Sequence, residues 1–207
     1  MSAGLTVRRA APAEADLVGA LTERVYRTSG FGSDDYAKVL RDGRSRVRDG
    51  IVLVAIADGT IAGTVTLALP GTPLAHLGRA GEAENRMLAV DEATRGLGIA
   101  NRLMAACETL ARNEGLTAVI LCTETGMHAA QRLYERRGYL REPGRDWQIR
   151  DVRLLAYRLT PLARQALYPF RRRARPSRMT SRPLANLVSR TSAGSGSGAA
   201  YDSDRWS

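Results

Sequence analysis

Two strand-like segments on either side of a long amphipathic helix constrain this fold more than any other part of the sequence. Glu82–Val90 and Thr117–Thr123 have the apolar pattern of strands, and the segment between them changes to a helical period. The apolar stripe of that helix is formed by Ile99, Leu103, Cys107 and Leu110. Gly115 is placed to end the helix. Since a helix that connects two strands of one sheet usually leaves them parallel, the sequence predicts a parallel pair here.

The other segments predict antiparallel strands around this pair. Ile51–Ala57 and Ile61–Leu69 are separated by Asp58-Gly59-Thr60, a sequence typical of a β-hairpin. Helices are expected after Pro12, after Ser33 and over Met127–Arg137. Further strands are expected at Leu5–Ala10, Tyr139–Arg141 and Val152–Leu159. The predicted order β-α-α-β-β-β-α-β-α-β-β corresponds to an α/β (α+β) fold with a mixed, mostly antiparallel sheet and helices on both faces.

The chain of 207 residues divides by composition near residue 160. Residues 161–207 hold nine arginines against Asp202 and Asp204 and account for +7 of the net charge of +10. Within this segment Thr191–Ala200 is rich in Ser, Gly and Ala without any apolar period. We therefore predict one folded domain over 1–160 and a basic, disordered tail over 161–207. The basic run Arg171–Arg175 is expected to make weak contact with nucleic acid or anionic lipid.

Several protein classes are disfavoured by the same composition. The longest apolar run, Ile51–Ala57, is far shorter than the ~20 residues that cross a bilayer. Two cysteines, Cys107 and Cys122, are too few for a disulfide framework and, with only two histidines, for most zinc sites. A cytoplasmic protein without a bound metal is therefore expected. No sequence feature decides the oligomeric state, and a dimer stays open.

A glycine-bearing turn between the strand and the long helix is the clearest candidate site. Arg95-Gly96-Leu97-Gly98-Ile99-Ala100 places consecutive backbone N–H groups at the positive end of the helix dipole, an arrangement that binds phosphate. A Walker loop would need Gly-Lys-Ser/Thr at its end, which is absent here. A dinucleotide fingerprint would need glycine where Asn101 stands. The spacing that fits is R-x-x-G-x-A, from Arg95 to Ala100.

This turn resembles motif A of the GNAT superfamily of N-acetyltransferases, whose Q/R-x-x-G-x-G/A loop holds the pyrophosphate of the cosubstrate acetyl-CoA. The resemblance implies that the pyrophosphate lies against Arg95, Gly96, Gly98, Ala100 and Asn101. It also implies that backbone groups of Leu88 and Val90 pair with the pantetheine arm, along a parallel pair of strands splayed for CoA. Without a Cβ, the two glycines allow the backbone to approach the phosphates closely.

A second segment, Ala130–Tyr139, is similar to the family's A-x-x-L-Y-E-x-x-G-F motif. In the family the tyrosine of this motif, here Tyr134, often protonates the thiolate of departing CoA. A phenol with a reference pKa of ~10 must lie close to that sulfur to be useful. This chain departs from the family at Met127, where many members carry an asparagine that hydrogen-bonds the cofactor. The resemblance covers most of residues 5–159.

A third candidate, Glu84, lies in a segment similar to the strand before motif A in histone-type members, where a glutamate acts as general base. A base is needed because a lysine-like amine, with a reference pKa of ~10.4, is protonated at pH 7 and must lose a proton before it attacks a thioester. The implied mechanism is direct transfer in a ternary complex. Glu84 takes the proton, a backbone N–H near Leu88 stabilises the oxyanion, and Tyr134 protonates the sulfur.

Each candidate also has an ordinary structural explanation. Gly96 and Gly98 could form a plain turn, and Arg95 could be a surface charge. Tyr134 could pack in the core, and Glu84 could be an exposed strand carboxylate. For function, the sequence predicts an acetyl-CoA-dependent N-acetyltransferase acting on a small-molecule or peptide amine. Two alternatives stay open: a non-catalytic acyl-CoA-binding module, and a protein that binds nucleic acid or an anionic surface through its basic tail.

Overall fold

The computed structural model describes residues 4–160, and the predictions made for 161–207 lie outside the described residues. Within them we number eight strands: β1 Thr6–Arg9, β2 Ile51–Ala57, β3 Thr60–Ala68, β4 Glu82–Val90, β5 Ala118–Glu124, β6 Leu140–Arg141, β7 Trp147–Ile149 and β8 Val152–Leu159. The α-helices of this part are α1 Ala15–Thr28, α2 Asp34–Arg41, α3 Gly43–Asp49, α4 Ile99–Asn113 and α5 His128–Arg136. None of these helices combines the length and the hydropathy required to span a membrane.

The strands form one sheet in the order β1-β2-β3-β4-β5-β8, and both β6 and β7 pair with the outer edge of β8. Each pairing is antiparallel except that of β4 with β5, which is parallel and is connected through α4. The β2–β3 hairpin turns at Asp58 and Gly59, which both have a positive φ. The predicted mixed, mostly antiparallel sheet with a parallel pair around the long helix is confirmed.

Helices cover both faces of the sheet, because alternate residues of each strand are apolar and point to opposite sides. On β2, Leu53 and Ala55 belong to the larger core. Val52 and Val54 pack on the other face together with Val18 of α1. The helical stripe that the sequence predicts lies against the larger core: Ile99, Leu103 and Cys107 are buried and Leu110 is half-buried. Met104, outside the predicted stripe, is buried beside them.

β4 and β5 are paired over only part of their length. The parallel ladder joins Glu82–Asn85 to Ala118–Leu121 and does not continue to the ends of the two strands. On its other edge β4 carries an irregularity: the register against β3 shifts between Thr64 and Thr66, and Met87 adopts a φ of 54°. A positive φ is uncommon for a residue with a side chain, and bulges bend a strand. This bulge lies where the pairing with β5 ends.

Two elements are missing from the sequence-based prediction. α3 has the sequence GRSRVRD, in which Val47 is the only large apolar residue. Its fully buried side chain is Arg46, only 2% exposed, so the helix shows no apolar period. β7 is three residues long and pairs with β8 alone. A strand of this length is too short for an alternating pattern to be recognised.

Two glycines allow α1 and α3 to approach at backbone distance. A Cβ at Gly43 would lie 1.9 Å from the carbonyl oxygen of Ala15, and one at Gly19 would lie 2.0 Å from that of Arg41. Because backbone atoms cannot rotate away, we expect Gly43→Ala to lower the free energy of unfolding by about 2 kcal/mol. Urea denaturation measures this change. Gly144→Ala is the control, since its Cβ meets no heavy atom within 4 Å, and an equal loss in both variants would contradict the explanation.

Candidate active site

A cavity of about 280 Å³ lies in the gap between the unpaired ends of β4 and β5. Its wall includes Arg86–Leu88 from β4 and Cys122 from β5. Tyr26 of α1 lines it from one layer of helices, and Met104 of α4 lines it from the other. The cavity therefore reaches through the sheet. Two molecules can meet in it, each approaching from its own face.

The turn before α4 presents a group of backbone amides. Gly96 and Gly98 have φ values of 85° and 75°, the left-handed conformation that glycine adopts without strain. No described residue accepts a hydrogen bond from the N–H groups of Gly96, Gly98, Ile99, Ala100 and Asn101. These amides lie at the N-terminus of a 15-residue helix, where the dipole favours negative charge. A diphosphate supplies both the charge and the acceptor oxygens that suit this turn.

Two guanidinium groups stand beside the turn. The Arg95 side chain is 49% exposed and contacts a carboxylate oxygen of Glu92 at 3.2 Å and the hydroxyl of Ser29 at 3.3 Å. Arg137 donates to the backbone carbonyl of Asn101 at 3.2 Å and to its side-chain oxygen at 3.5 Å. Each guanidinium is paired with a carboxylate, Arg95 with Glu92 and Arg137 with both oxygens of Glu108 at 2.9 and 2.6 Å. The five residues predicted to hold the pyrophosphate thus lie together at one end of α4.

Leu88 and Val90 lie on the part of β4 that has no partner strand on the β5 side. Both residues are half-buried, and Leu88 lines the cavity. Backbone N–H and C=O groups along such an edge can pair with an extended ligand as they would with another strand. This edge runs from the cavity towards the turn at Gly96.

Tyr134 of α5 stands on the cavity wall. It is 6% exposed, and the rings of Tyr139 and Tyr157 pack on it at centroid distances of 6.0 and 5.9 Å. Its hydroxyl has no hydrogen-bond partner among the described residues. Burial raises the pKa of Tyr134 above the ordinary value of a phenol, and the neighbouring thiol of Cys122 acts in the same direction. The hydroxyl therefore keeps its proton at neutral pH.

Glu84 is buried, but its carboxylate is directed at a loop, and the residue does not line the cavity. Its Oε2 accepts hydrogen bonds from the backbone N–H groups of His76, Leu77 and Gly78, at 2.8, 2.6 and 3.1 Å. Its Oε1 lies 3.8 Å from Nε of Arg86, which does line the cavity. The structure therefore brings Leu88 and Tyr134 together at the cavity and connects Glu84 to it through Arg86.

The sequence model of the acetyltransferase (GNAT) family matches residues 18–139, more than half of the chain. The chain belongs to the GNAT acetyltransferase family. The matched region includes most of α1, the residues that line the cavity, the turn before α4 and Tyr134. The resemblance drawn from Arg95–Ala100 and Ala130–Tyr139 is thereby confirmed.

Solved structures of other GNAT acetyltransferases share the fold of this chain. A GNAT family acetyltransferase from Staphylococcus aureus is 15% identical, with a TM-score of 0.61 over 77% of this chain and 100% of that one. The PaiA N-acetyltransferase from Thermoplasma acidophilum, solved in complex with coenzyme A, is 14% identical, with a TM-score of 0.59 over 74% and 98%. Ribosomal-protein-alanine N-acetyltransferase from Brucella melitensis is 21% identical, with a TM-score of 0.55 over 75% and 99%. Comparison with curated proteins gave no match.

Membership in the GNAT family makes this chain an acetyltransferase, and amines are the acceptors of that family. The structural neighbours, all below 25% identity, establish the fold alone. The residues present fit a CoA donor in three respects. The turn at Gly96–Asn101 has amides for the pyrophosphate, β4 has a free edge for the pantetheine arm, and the cavity can receive the thioester end.

Three residues at or near the cavity, Arg86, Cys122 and Glu124, are not among the site residues predicted from the sequence. Arg86 lines the cavity with a side chain that is 11% exposed. Burial raises the pKa of Cys122 to about 11, so this wall residue is a neutral thiol and a poor nucleophile at pH 7. Glu124, at the end of β5, accepts a hydrogen bond from the Gly32 amide at 3.2 Å, and burial raises its pKa. The polar run Glu84-Asn85-Arg86 in a central strand is the pattern that could have indicated Arg86.

Proposed function

We propose that this domain is an acetyl-CoA-dependent N-acetyltransferase that moves an acetyl group to a primary amine by direct transfer in a ternary complex. The cavity through the sheet carries the proposal, because it is lined from both layers of helices and gives donor and acceptor separate approaches. The donor would enter from the α4 side, where the amide-bearing turn lies. The amine would enter from the α1 side. A cytoplasmic location and a mechanism without a metal stay predictions.

The chain's own groups would hold the donor along one continuous path. Backbone amides of Gly96–Asn101, including those of Gly98 and Ala100, would bind the pyrophosphate, with Arg95 adding positive charge. Leu88 and Val90 would pair their backbone groups with the pantetheine arm along the free edge of β4. Acetyl-CoA supplies the acetyl thioester, whose carbonyl oxygen would be polarised by a backbone N–H near Leu88 at the bulge.

Tyr134 would donate a proton to the departing sulfur. Its hydroxyl is the only phenol on the α5 part of the described cavity wall and has no hydrogen-bond partner among residues 4–160. Because burial raises the pKa of Tyr134, its position rather than its acidity makes it suitable. A proton delivered as the carbon–sulfur bond breaks stabilises the developing thiolate, a contribution typical of general acid catalysis.

Two carboxylates can take the proton that the amine must lose. Glu84 is the residue that the family resemblance implies, and it would act through water because its carboxylate does not line the cavity. Glu124 is the alternative: it is half-buried at the end of β5, and its raised pKa makes it a stronger base than an exposed carboxylate.

A pair of substitutions distinguishes these bases. If Glu84 is the base, Glu84→Gln is expected to lower kcat about tenfold at pH 7, while Glu124→Gln leaves it nearly unchanged. The loss should shrink as the pH rises towards 9, because a larger fraction of the amine is then deprotonated in solution. Steady-state measurement of kcat for both variants between about pH 6.5 and 9 tests the size of the loss and its dependence on pH. A loss that stays constant with pH would assign Glu84 a positioning role through its loop, and the reverse pattern would assign the base to Glu124.

Calorimetric titration tests the proposal as a whole. Acetyl-CoA should bind saturably, and tighter than dephospho-CoA or ATP. Turnover is then followed by the release of free CoA thiol with a panel of amines. Binding without thiol release for any amine would favour the non-catalytic acyl-CoA-binding module, and no binding at millimolar acetyl-CoA would reject both. Contact of Arg171–Arg175 with nucleic acid or anionic lipid stays a prediction, since those residues lie outside the described part of the chain.

A further inference from the structure

The acceptor side of the cavity carries a buried positive charge. Arg86 lines the cavity on the α1 and α2 side, and its side chain is 11% exposed. Its Nη1 donates to the backbone carbonyl of Leu74 at 2.7 Å, and its guanidinium interacts with the hydroxyl of Tyr36. Both partners are electrically neutral. Since a guanidinium has five N–H donors, these contacts leave Arg86, a residue of the cavity wall, with unused donor capacity.

The carboxylate nearest to Arg86 forms an ion pair with it but does not line the cavity. Glu84 Oε1 lies 3.8 Å from Arg86 Nε, beyond hydrogen-bond distance. The other oxygen of Glu84 is shared among the three loop amides of His76, Leu77 and Gly78. The ion pair therefore lacks the two parallel hydrogen bonds of a bidentate arginine–carboxylate pair, and the N–H donors of Arg86 are not committed to Glu84.

A second buried guanidinium lies in the same layer of helices. Arg46 of α3 is 2% exposed, and its Nη2 donates to the carbonyl of Leu40 at 3.0 Å and to the hydroxyl of Thr22 at 3.1 Å. Its Nε and Nη1 are buried without a partner among the described residues. Burial lowers the pKa of Arg46 to about 10, and the charge of Arg86 adds to this effect. Arg46 and Arg86 thus place two positive charges in a buried region whose neighbouring carboxylates, Glu84 and Glu124, do not line the cavity.

The rest of the described cavity wall supplies no negative charge. Among residues 4–160, no aspartate or glutamate lines the cavity, and its other ionisable side chains are Tyr26, Cys122, His128 and Tyr134. Burial holds Tyr26, Cys122 and Tyr134 in their neutral forms. A simple cationic amine would therefore meet the positive Arg86, and no carboxylate, on the described cavity wall. An amine that also carries an anion would bring no net charge and would pair with it.

We propose that the acceptor is a small amine that carries a carboxylate, such as a free amino acid, and that Arg86 binds this carboxylate in the cavity. The proposal rests on the proposed N-acetyltransferase function and names its substrate class. The Arg86 side chain contacts α2 and the β3–β4 loop. The amides assigned to the pyrophosphate lie elsewhere, at the N-terminus of α4. The two anions would therefore be bound by different groups, one for each substrate.

Product analogues test the proposal on the unmodified chain. N-acetyl derivatives of glycine, leucine, phenylalanine and aspartate are titrated calorimetrically, each against the matching N-acetyl amino amide. We expect at least one acid to bind about tenfold or more tighter than its amide, a difference worth about 1.4 kcal/mol. Equal affinities throughout, tighter binding of the amides, or no binding of any acid would overturn the proposal. Each titration is made with and without CoA, so that a failure to bind CoA, which defeats the proposed function, is recorded separately.

Variants of Arg86 locate the carboxylate. Arg86→Met is expected to abolish the preference for acid over amide, while Arg86→Lys retains part of it because the charge remains. Acetyl-CoA affinity should stay within about threefold of the unmodified chain in both. Arg153→Met is the matched control, since that arginine is 65% exposed and does not line the cavity. An unchanged preference in Arg86→Met, or an equal loss in Arg153→Met, would overturn the assignment. Since Arg86→Lys keeps the buried charge, its result stands even where Arg86→Met fails to fold.

Discussion

Replacing Ala100 by glutamate is expected to lower the affinity for acetyl-CoA by about 100-fold or more. Ala100 lies in the first turn of α4, beside the amides of Gly98 and Asn101 that lack acceptors among the described residues. A carboxylate there would repel a diphosphate and compete with it for the same N–H groups. A 100-fold loss corresponds to about 2.7 kcal/mol, which a like-charge contact at a ligand site can supply. Calorimetric titration of acetyl-CoA into the variant measures the loss directly.

The helix dipole offsets part of the stability cost of this substitution at Ala100, which is half-buried and packs against the larger core. An acidic residue in the first turn of a helix interacts favourably with the dipole, by about 0.3–1 kcal/mol. Ala105→Glu is the matched control, because Ala105 is exposed on the same helix and lies beyond the first turn. We expect this control to bind acetyl-CoA with nearly unchanged affinity. Equal affinities of the two variants would place the pyrophosphate somewhere other than this turn.

The fold around the site could be predicted because its sequence patterns are local. The stripe of α4 and the two flanking strands together imply the parallel pair, and both are present. The turn is predicted equally well. Gly96 and Gly98 both have a left-handed backbone, and glycine is the residue type that adopts this conformation without strain. In each case the physical cause lies within a few residues of the pattern. A single sequence is therefore enough to place these elements.

The polar interior could not be predicted because its partners are far apart in the chain. Glu82 has the pattern of an exposed strand carboxylate, yet it is 5% exposed and pairs with Arg145 at 2.8 Å and Arg158 at 2.7 Å. Glu84 finds its partners in a loop whose path depends on the whole β3–β4 connection. Arg46 is buried, and no carboxylate hydrogen-bonds to it among the described residues. The apolar pattern of the sequence does not indicate a buried arginine at this position. The charges to which we assign acceptor binding therefore become apparent only in the folded chain.

The two hydrophobic cores and the interrupted β4–β5 pairing explain how the fold creates the candidate site. The cores on the two faces hold β2 and β3 in register, while the β4–β5 ladder ends at Asn85 and Leu121. The bulge at Met87 lies at this point, and a residue held at positive φ persists only where its surroundings impose it. The site is thus built from backbone groups released by the interrupted pairing. Side chains such as Tyr134 then need only be brought to the gap.

Tyr134→Phe is expected to lower kcat by about 100-fold or more while leaving acetyl-CoA affinity nearly unchanged. The variant removes only the hydroxyl, which has no partner among the described residues, and keeps the ring that packs against Tyr139 and Tyr157. Loss of a positioned general acid costs about 10²–10⁴ in rate. Tyr157→Phe is the control, because its hydroxyl donates to Glu135 at 3.2 Å, outside the cavity wall.

Comparing the change in kcat with the change in acetyl-CoA affinity decides the role of Tyr134. A loss in kcat with unchanged binding indicates an interaction made only in the transition state, whereas a matching loss of affinity would indicate packing. Burial keeps Tyr134 protonated at neutral pH. The ratio of kcat in the unmodified chain to kcat in Tyr134→Phe should therefore stay constant between about pH 6.5 and 8.5. Full turnover in Tyr134→Phe would remove this residue as the acid. The proposed donor site would be unaffected by that result, because it rests on the turn at Gly96–Asn101 and the free edge of β4.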